Sequence, residues 1–371
     1  MKRFLFATLV LTLTVLACGA QVPATPFPTP ENTVFDSGRT AYGFFPSPPE
    51  LTTESVIATM QGIGEHGDVI LVQRAVPWED FIERGDSESQ DIVDLRNMMM
   101  LARQNNLEAI FVVDPLNGLD RRQLSPLPPR LAGGNFGTPG LRAAFKNYAL
   151  RLAREFQPRY LGLASEINTY ADSHPDDFQN FVSLYREVYA AIKAESPGTQ
   201  VFVTFQWDDL NNAIPFDPTS GGRYQTKWEQ IEVFEPDLDV WAISSYPFVA
   251  FDSAADIPPD YYTPLLTRTE KPLAVAEGGV NSREIGQFHG TPQDQVDYLN
   301  ALHTQLGSRL VFWIYLILND INGQAYRDFL AKNGMETTAD TILWFAAVGL
   351  RELDGAPKPA LQTWDSFRNI P

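Results

Sequence analysis

Two glutamates directly follow apolar runs of the sequence, a position where acidic residues are uncommon. Glu166 ends the segment Tyr160-Leu-Gly-Leu-Ala-Ser-Glu, and Glu277 ends the segment Pro272-Leu-Ala-Val-Ala-Glu. Because charged side chains are rarely buried without a partner or a function, a carboxyl group at the end of a buried strand indicates chemistry. Two carboxyl groups about 5–5.5 Å apart can cleave a glycosidic bond with retention, one attacking the sugar while the other transfers the proton.

Eight apolar, β-rich runs alternate with longer amphipathic stretches, and these elements must position the two glutamates. The predicted strands are Thr40–Phe45, Val69–Arg74, Ala109–Asp114, Tyr160–Ser165, Gln200–Gln206, Val240–Tyr246, Leu273–Glu277 and Leu310–Tyr315. Most of these runs are continuously apolar, which is typical of parallel strands covered on both faces. Their alternation with helices predicts an α/β fold, a single (β/α)₈ (TIM) barrel. In such a barrel the fourth and seventh strands lie across the mouth from each other.

The main alternative fold is a doubly wound open sheet. That fold places a glycine-rich phosphate loop after its first strand, whereas Phe44-Phe45-Pro46-Ser47-Pro48 stands there in this chain. Three strand-to-helix loops are unusually long, namely Leu116–Gly140, Pro247–Tyr262 and Asn319–Ala339. In a barrel such loops build the active face, so we expect them to shape a substrate site; the alternative is surface decoration.

The chain resembles glycoside hydrolase clan A, the barrel enzymes with the acid/base on strand four and the nucleophile on strand seven. Besides the two glutamates, the resemblance rests on Arg74, on Ser244-Ser-Tyr246-Pro, on Phe312-Trp313 and on Gly349–Ala360 followed by Trp364. It extends over about residues 39–367, and the endo-galactanases and endo-mannanases have the nearest layout. The resemblance implies that Glu166 is the acid/base and that Glu277 is the nucleophile.

The resemblance also implies supporting roles for three other residues. Tyr246 is expected to donate a hydrogen bond to Glu277, and Arg74 is expected to support the same carboxylate. Trp313 on the eighth strand is expected to form the floor of the sugar site. For Arg74, a buried ion pair under the barrel rim is the alternative.

One position departs from the clan pattern. Clan members have asparagine directly before the acid/base, where it holds the sugar 2-hydroxyl, and this chain has Ser165. The serine hydroxyl can still donate a hydrogen bond, although it is shorter. Asn168 can compensate only if the loop turns it inward.

Aromatic platforms with a few polar groups are typical of sugar sites. Side chains at or near strand ends that fit this description are Trp207, Trp313, Trp78 and Phe44, with Gln206 and Asp114 as partners for hydroxyl groups. The alternative for each aromatic ring is a place in the core. Each glutamate also has a purely structural alternative. Glu166 can be an acidic residue at a helix N-terminus, where it interacts favourably with the helix dipole. Glu277 can be an acidic residue in a turn before two glycines.

The N-terminus is typical of a bacterial lipoprotein signal. Lys2 and Arg3 precede an apolar run that is too short to span a bilayer, and the only cysteine, Cys18, follows Val15-Leu-Ala. We expect a signal peptide at residues 1–17, a Pro/Thr-rich tether lipidated at Cys18 over residues 18–35, and the glycosidase-like domain at 36–371. The protein would then be anchored at the cell surface or the periplasmic face of the membrane. An ordinary signal peptide is the alternative.

Composition narrows the choice of partners. The net charge of −18 and the pI of about 4.6 argue against nucleic acid. The four histidines (His66, His174, His289 and His303) show no metal-ligand spacing, so no metal is expected. Hydrolysis by two carboxyl groups needs no cofactor. A monomer is expected. The sequence therefore favours a retaining glycosidase acting on β-linked poly- or oligosaccharide. A surface lipoprotein that binds glycans without cutting them and a transglycosylase using the same residues are the alternatives.

Overall fold

The computed structural model describes residues 34–215, 222–333 and 339–369. Parallel strands form one barrel, in chain order β1 Ala41–Phe45, β2 Val69–Ala75, β3 Glu108–Asp114, β4 Tyr160–Gly162, β5 Gln200–Phe202 with Thr204–Gln206, β6 Trp241–Ser245, β7 Leu273–Gly278 and β8 Leu310–Ile317. Neighbours in this order are paired, and β1 pairs with β8. The two segments of β5 pair with β4 and β6 respectively, so that β5 joins both ends of the sheet and closes it. The predicted (β/α)₈ fold is confirmed.

Helices surround the barrel and connect its strands. They are α1 Thr53–His66, α2 Trp78–Phe81, α3 Gln90–Gln104, α4 Pro139–Phe156, α5 Ile167–Ser173, α6 Pro175–Glu195, α7 Trp207–Leu210, α8 Glu229–Glu232, α9 Pro264–Arg268, α10 Pro292–Leu306, α11 Gly323–Lys332 and α12 Pro359–Arg368. Their boundaries follow local chemistry: the Thr291 hydroxyl accepts the Asp294 amide and Pro292 occupies the first turn of α10. A short antiparallel hairpin, Leu116–Asn117 with Asp120–Leu124, follows β3.

Large aromatic side chains fill the lower part of the barrel interior. The Phe312 ring lies 5.1 Å from that of Tyr160 and 5.7 Å from that of Phe202, centroid to centroid. Phe35, in the first described turn, packs edge-on against Tyr160 at 4.9 Å. Since Tyr160 begins β4, the described chain starts at the amino-terminal end of the barrel, opposite the carboxyl ends of the strands.

A second hydrophobic cluster lies over the barrel mouth, and we call it the mouth cluster. Its buried members are Tyr246, Phe248, Phe288, Ile317, Ile321, Tyr326, Leu330, Ala339, Ile342, Ala346 and Val348. They come from the end of β8, from α11 and from the segments that follow β6, β7 and β8. The mouth cluster therefore covers one side of the barrel's carboxyl end with hydrocarbon.

The Gly349–Ala360 segment holds these loops together through Lys358. The Lys358 ammonium is 2% exposed and donates to the Asp320 carboxylate at 2.6 Å, the Ser282 hydroxyl at 2.8 Å and the Gly349 carbonyl at 2.9 Å. Asp320 follows β8 and Ser282 follows β7, so one buried cation joins three segments. This motif of the sequence is structural in the fold, because it fixes the loops around the mouth.

The predicted signal peptide, Cys18 and nearly all of the tether lie outside the described residues. Within residues 34–215, 222–333 and 339–369, no helix combines the length and the apolar character that crossing a bilayer requires.

Candidate active site

A cavity of about 550 Å³ opens at the carboxyl ends of the barrel strands, a volume typical of small-molecule sites. Glu166 from the end of β4 and Glu277 from β7 both line it, together with Tyr246 and Gln206. All three long loops contribute to its wall, as the sequence predicts. The fold therefore brings the two glutamates to one cavity from opposite sides of the barrel.

The backbone holds Glu166 in an unusual conformation. Its φ of +52° and ψ of 42° lie in the left-handed region, which few residues other than glycine adopt. Its amide donates to the Thr204 hydroxyl on β5 at 2.8 Å, and α5 begins at the next residue. Strain of this kind persists where the surrounding structure imposes it, and it is common at functional sites. It directs the 8% exposed Glu166 side chain into the cavity.

Arg121, from the hairpin after β3, forms an ion pair with Glu166. Its Nε donates to Glu166 Oε2 at 3.1 Å, a second nitrogen donates to Asp114 at the end of β3, and a third lies 3.3 Å from the Ser165 hydroxyl. Asp114 also accepts the Gln73 amide at 2.8 Å. The other Glu166 oxygen accepts the Ser244 hydroxyl from β6. Both carboxylate oxygens of Glu166 thus have donors in this structure.

Glu277 accepts a hydrogen bond from the hydroxyl of Tyr246, which confirms the contact implied by the clan resemblance. Burial, reinforced by the Glu277 charge, raises the pKa of Tyr246 well above its ordinary value, so the hydroxyl stays a donor. Gly278 is required after Glu277, because a Cβ there would collide with the Tyr298 hydroxyl and lie 2.6 Å from the Ser245 carbonyl. Tight packing behind the residue fixes the direction of the carboxylate.

The two glutamates are electrostatically coupled. The pKa of Glu277 is raised from 4.5 to about 7. Burial is the largest cause and the charge of Glu166 adds to it, while Arg121 and the Tyr246 hydroxyl act in the opposite direction. Desolvation disfavours a carboxylate and a second nearby carboxylate adds repulsion. A nucleophile must be ionised, and the raised pKa means that Glu277 takes up a proton at a higher pH than an ordinary glutamate does.

Asp208 positions Tyr246, the residue that contacts Glu277. Its carboxylate is fully buried and accepts the Tyr246 amide at 2.8 Å, the Gln206 side-chain amide at 3.0 Å and the Tyr261 hydroxyl at 2.7 Å. Burial raises the pKa of Asp208, and these donors lower it in part. Because the amide belongs to Tyr246 itself, Asp208 positions the tyrosine whose hydroxyl reaches Glu277.

Replacing Glu277 with glutamine is expected to stabilise the fold in alkaline solution. The raised pKa means that the folded protein binds this proton more tightly than the unfolded chain does. The free energy of unfolding therefore falls as pH rises from 4.5 to about 7, and above that range the buried charge exerts its full penalty. Glutamine keeps the shape and still accepts from Tyr246, so Tm should rise at about pH 8 by the equivalent of roughly 1–3 kcal/mol.

The matched control for this variant is Glu270→Gln, which alters a 99% exposed side chain shortly before β7. It should show no pH-dependent gain in Tm. Thermal unfolding in acidic and alkaline buffers measures both variants. An equal change in Tm for Glu277→Gln at both pH values would show that burial of its charge does not cause the effect.

The predicted support of Glu277 by Arg74 is wrong. Arg74 is 1% exposed and points out of the barrel, where its Nε donates to Asp91 on α3 at 2.7 Å. Its neighbour Gln73 faces the cavity instead. Adjacent strand residues point to opposite faces, so Arg74 forms the buried ion pair that was its alternative.

The predicted aromatic platforms do not line the cavity. Trp313 packs against Trp364 at 5.5 Å on the helix side of β8, and Trp207 is buried against Trp228 and Tyr261. Trp78 donates to Ser125 at 2.8 Å, and Phe44 packs on Trp364 at 5.1 Å. All four rings are core residues, because each lies on the outer face of its strand or under a loop.

The predicted polar partners are divided between the cavity and its supports. Gln206 lines the cavity, whereas Asp114 lies behind Arg121 as its counter-ion. Asn168 is fully buried: its amide donates to Asp209 at 2.6 Å and its oxygen accepts the Gln206 amide. It cannot replace the asparagine that clan members place before the acid/base. Ser165 contacts Arg121 and Thr204 rather than the cavity.

Four aromatic residues missed by the sequence interpretation line the cavity, namely Phe45, Tyr326, Trp344 and Phe345. Trp344 and Phe345 belong to the 3-10 helix Ala339–Phe345, and the Phe345 ring lies 5.1 Å from that of Tyr246. Trp344 is 37% exposed and packs on Phe288. The segment of Trp344 and Phe345 follows β8 at a distance and extends beyond the predicted loop Asn319–Ala339, so no sequence signal pointed to them. Arg121 was missed as well, although an arginine pair soon after Asp114 was a visible signal.

No family model matches the chain, and no curated protein is significantly similar to it. Solved structures are similar in fold. A GH5_18 variant from Streptomyces cattleya in complex with Manb1-4GlcNAc has a TM-score of 0.63 and 15% identity, covering 90% of this chain and 82% of that one. A GH5_18 variant from Bifidobacterium longum, with the same ligand, has a TM-score of 0.62 and 16% identity, covering 88% and 77%.

An exo-β-1,4-mannosidase from Opitutaceae bacterium strain TAV5 is also similar, with a TM-score of 0.61 and 15% identity. The match covers 89% of this chain but 59% of the mannosidase, so the chain spans less than two thirds of that protein. Identities this low establish the fold alone. The chain shares the (β/α)₈-barrel fold of clan A glycoside hydrolases, as the sequence resemblance implies.

Proposed function

We propose that the protein is a retaining glycoside hydrolase that acts on β-linked oligo- or polysaccharide outside the cell. Glu277 is its nucleophile and Glu166 its acid/base. The observation that carries this proposal is the pair itself: two carboxyl groups from β7 and the end of β4 line one cavity, and the charge of Glu166 helps to raise the pKa of Glu277. Neighbours in fold that bind Manb1-4GlcNAc or are β-mannosidases make β-mannosides the first substrates to test.

The mechanism follows from the contacts of the two groups. Ionised Glu277 attacks the anomeric carbon, and the Tyr246 hydroxyl orients its other oxygen. Glu166 gives a proton to the leaving oxygen and then takes one from the water that hydrolyses the glycosyl ester. Since Arg121 and Ser244 occupy both Glu166 oxygens in this structure, substrate binding must displace one of these donors.

The stereochemistry of the first product tests this proposal. The enzyme is incubated with aryl and alkyl β-mannosides and β-glucosides, and the anomeric proton of the released sugar is followed by NMR. Double displacement gives the β-anomer first, with the α-anomer appearing by mutarotation. Release of the α-anomer first would overturn the retaining mechanism.

Glycan binding without cleavage is the second candidate function, and the Arg121–Glu166 ion pair favours it. A carboxylate neutralised by an arginine can accept sugar hydroxyls without acting as an acid. This reading predicts that Glu166→Gln keeps full function. A transglycosylase would use the same residues and transfer the sugar to an acceptor other than water.

Replacing Arg121 with glutamine is expected to shift the pH profile of hydrolysis. The acidic limb of kcat/KM reports the base of the free enzyme, so the wild-type limb should lie near the Glu277 pKa of about 7. Arg121 lowers this pKa, and its loss should move the limb to higher pH by about one unit.

Two variants serve as controls for the Arg121 experiment. Arg121→Lys keeps the positive charge and should shift the limb less, while Arg130→Gln removes a 40% exposed charge from the same long loop outside the cavity and should leave the limb in place. The pH dependence of kcat/KM is measured for all three variants. A limb that stays near the wild-type value in Arg121→Gln would remove this arginine from the electrostatics of Glu277.

We also propose export and lipid anchoring at Cys18, in support of an extracellular substrate. Residues 19–33 lie between Cys18 and the first described residue, Val34. That residue lies at the amino-terminal end of the barrel, so the tether would hold the cavity away from the membrane. Metabolic labelling with an alkyne fatty acid tests this proposal: the wild type should be labelled and Cys18→Ser should not. An unlabelled wild type in the soluble fraction would contradict it.

A further inference from the structure

The cavity wall is divided into two arcs of different chemistry. Polar side chains come from β2 and from the segments after β3, β4 and β5, and they include Gln73, Arg121, Glu166, Thr169, Gln206 and Asp209. These strands are neighbours in the barrel, so their polar ends lie on one side of the cavity, with Leu71, Val72, Leu119 and Ile214 between them. We call this side the polar arc.

The facing side of the cavity is mostly apolar, and the segments after β8 also contribute Tyr326, Thr341 and Trp344 to it. Val249 after β6, Leu316 and Ile317 on β8, Ile321 and Ile342 after β8, and Phe345 line it. Four of these are branched aliphatic residues of β8 and the loops that follow it. These side chains belong to the mouth cluster or pack against it. We call this side the apolar arc, and Tyr246 with Glu277 lies where the two arcs meet.

The aliphatic part of the apolar arc is unsuited to a sugar ring, whereas Phe345 and its neighbour Trp344 can stack on one. Sugars bind over aromatic faces, with their hydroxyl groups hydrogen-bonded by nearby polar groups. Leucine, isoleucine and valine offer neither donors nor acceptors, and a hydroxyl buried against them without a partner costs free energy. Hydrocarbon buried against the same surface gains free energy in proportion to its area.

We propose that the substrate is a glycoside with an extended apolar aglycone, such as an alkyl chain. Its sugar lies along the polar arc, its aglycone lies along the apolar arc, and the scissile bond lies between Glu166 and Glu277. This inference rests on the proposed hydrolytic function. The glycosidic C–O bond breaks as the Glu277–C1 ester forms, and the aglycone leaves as an alcohol with the Glu166 proton. Water then cleaves the ester, which returns the proton to Glu166 and releases the free sugar.

A series of alkyl β-D-mannosides and β-D-glucosides tests the aglycone directly. Methyl, butyl, hexyl and octyl glycosides, used below the concentration at which they form micelles, have leaving alcohols of similar reactivity. From methyl to octyl, kcat/KM should rise by at least about 30-fold, because each buried methylene contributes favourably. Equal kcat/KM along the series, or faster cleavage of a mannobiose than of octyl β-D-mannoside, overturns the proposal.

Variants of the apolar arc provide a second readout. Leu316→Asn and Val249→Thr change partly exposed side chains without changing the number of their heavy atoms, and each should lower the octyl-to-methyl ratio of kcat/KM about fivefold or more. Leu353→Asn is the matched control, since Leu353 is 45% exposed and lies outside the cavity; its ratio should equal that of the wild type. A ratio that stays at the wild-type value in both arc variants contradicts the assignment.

The two proposals can fail separately. If no glycoside in the series is hydrolysed, the proposed function fails, and the apolar arc is then judged by binding. Titration of tryptophan fluorescence with methyl and octyl β-D-mannoside compares their affinities in the same protein, with Trp344 at the cavity rim as reporter. Binding of the octyl glycoside at least about tenfold tighter upholds the apolar subsite, and equal affinities overturn it.

Discussion

Glu277→Ala is expected to lower kcat by about 10⁴-fold or more, the scale on which removal of a covalent nucleophile acts. The variant loses the group that forms the glycosyl ester, while Tyr246 and Asp208 stay in place behind it. Azide can enter the space left by the carboxylate. It should restore turnover of an activated β-glycoside and yield the α-glycosyl azide, because only one displacement then takes place.

The matched control is Glu270→Ala, which removes a 99% exposed carboxylate close to β7 and should retain wild-type kcat. Product analysis by NMR identifies the azide adduct. Full activity in Glu277→Ala, or azide rescue that gives a β-azide, would exclude Glu277 as the nucleophile.

Glu166→Ala is expected to lower kcat on alkyl glycosides by about 10²–10⁴-fold, the usual contribution of a general acid. Alkyl alcohols are poor leaving groups and need a proton, whereas 2,4-dinitrophenolate leaves without one. The loss should therefore be much smaller for cleavage of a dinitrophenyl β-glycoside. The glycosyl enzyme should then break down slowly, which becomes visible as a burst of dinitrophenolate release.

Glu166→Gln separates hydrolysis from mere binding. Glutamine keeps the shape and can still accept from Ser244, but it cannot supply the proton. A hydrolase should lose activity on alkyl glycosides to a similar extent as in Glu166→Ala, whereas a glycan-binding protein should keep its affinity and function. Equal losses for alkyl and dinitrophenyl substrates would argue that Glu166 acts on something other than the leaving group.

The barrel and its two glutamates could be predicted from the sequence because their signals are local. Continuously apolar runs indicate buried parallel strands, and the predicted strands agree with the observed ones to within a few residues. Once the strands are counted, the fold itself places the carboxyl ends of strands four and seven around one opening. Tyr246 was predictable for the same reason, since it follows β6, the neighbour of β7.

The predictions for Arg74 and Trp313 were wrong because the face of a buried parallel strand cannot be read from its sequence. Both faces of such a strand are apolar, so alternation gives no indication of which residues point inward, and a shift of one residue exchanges the faces. On β2 the inward residue is Gln73. On β8 the register with β1 shifts between Tyr315 and Ile317, which pair with Phe44 and Phe45. Leu316 lies at this shift and lines the cavity.

The contacts of Arg121 and most of the apolar arc could not be predicted, since loops bring these residues to the site, although the arginine pair after Asp114 is visible in the sequence. The contact between Arg121 and Glu166 joins residues 45 positions apart, and it depends on the hairpin after β3 folding back over the mouth. Likewise, the segment that carries Ile342 and Phe345 is placed by packing against β8 and by the Lys358 ion pair. No local pattern encodes such contacts, and the hydrophobic residues of the segment are compatible with an ordinary core.

Trapping the glycosyl enzyme tests whether Glu277 is the nucleophile of a retaining glycosidase. The protein is incubated with 2,4-dinitrophenyl 2-deoxy-2-fluoro-β-D-mannoside and with the corresponding glucoside, which form the intermediate faster than they hydrolyse it. Digestion and mass spectrometry then locate the modified residue. If Glu277 is the nucleophile, one fluoroglycosyl group should be found on Glu277, and none in Glu277→Gln. A label on Glu166 or on any other residue, or hydrolysis with inversion and no label at all, would contradict it.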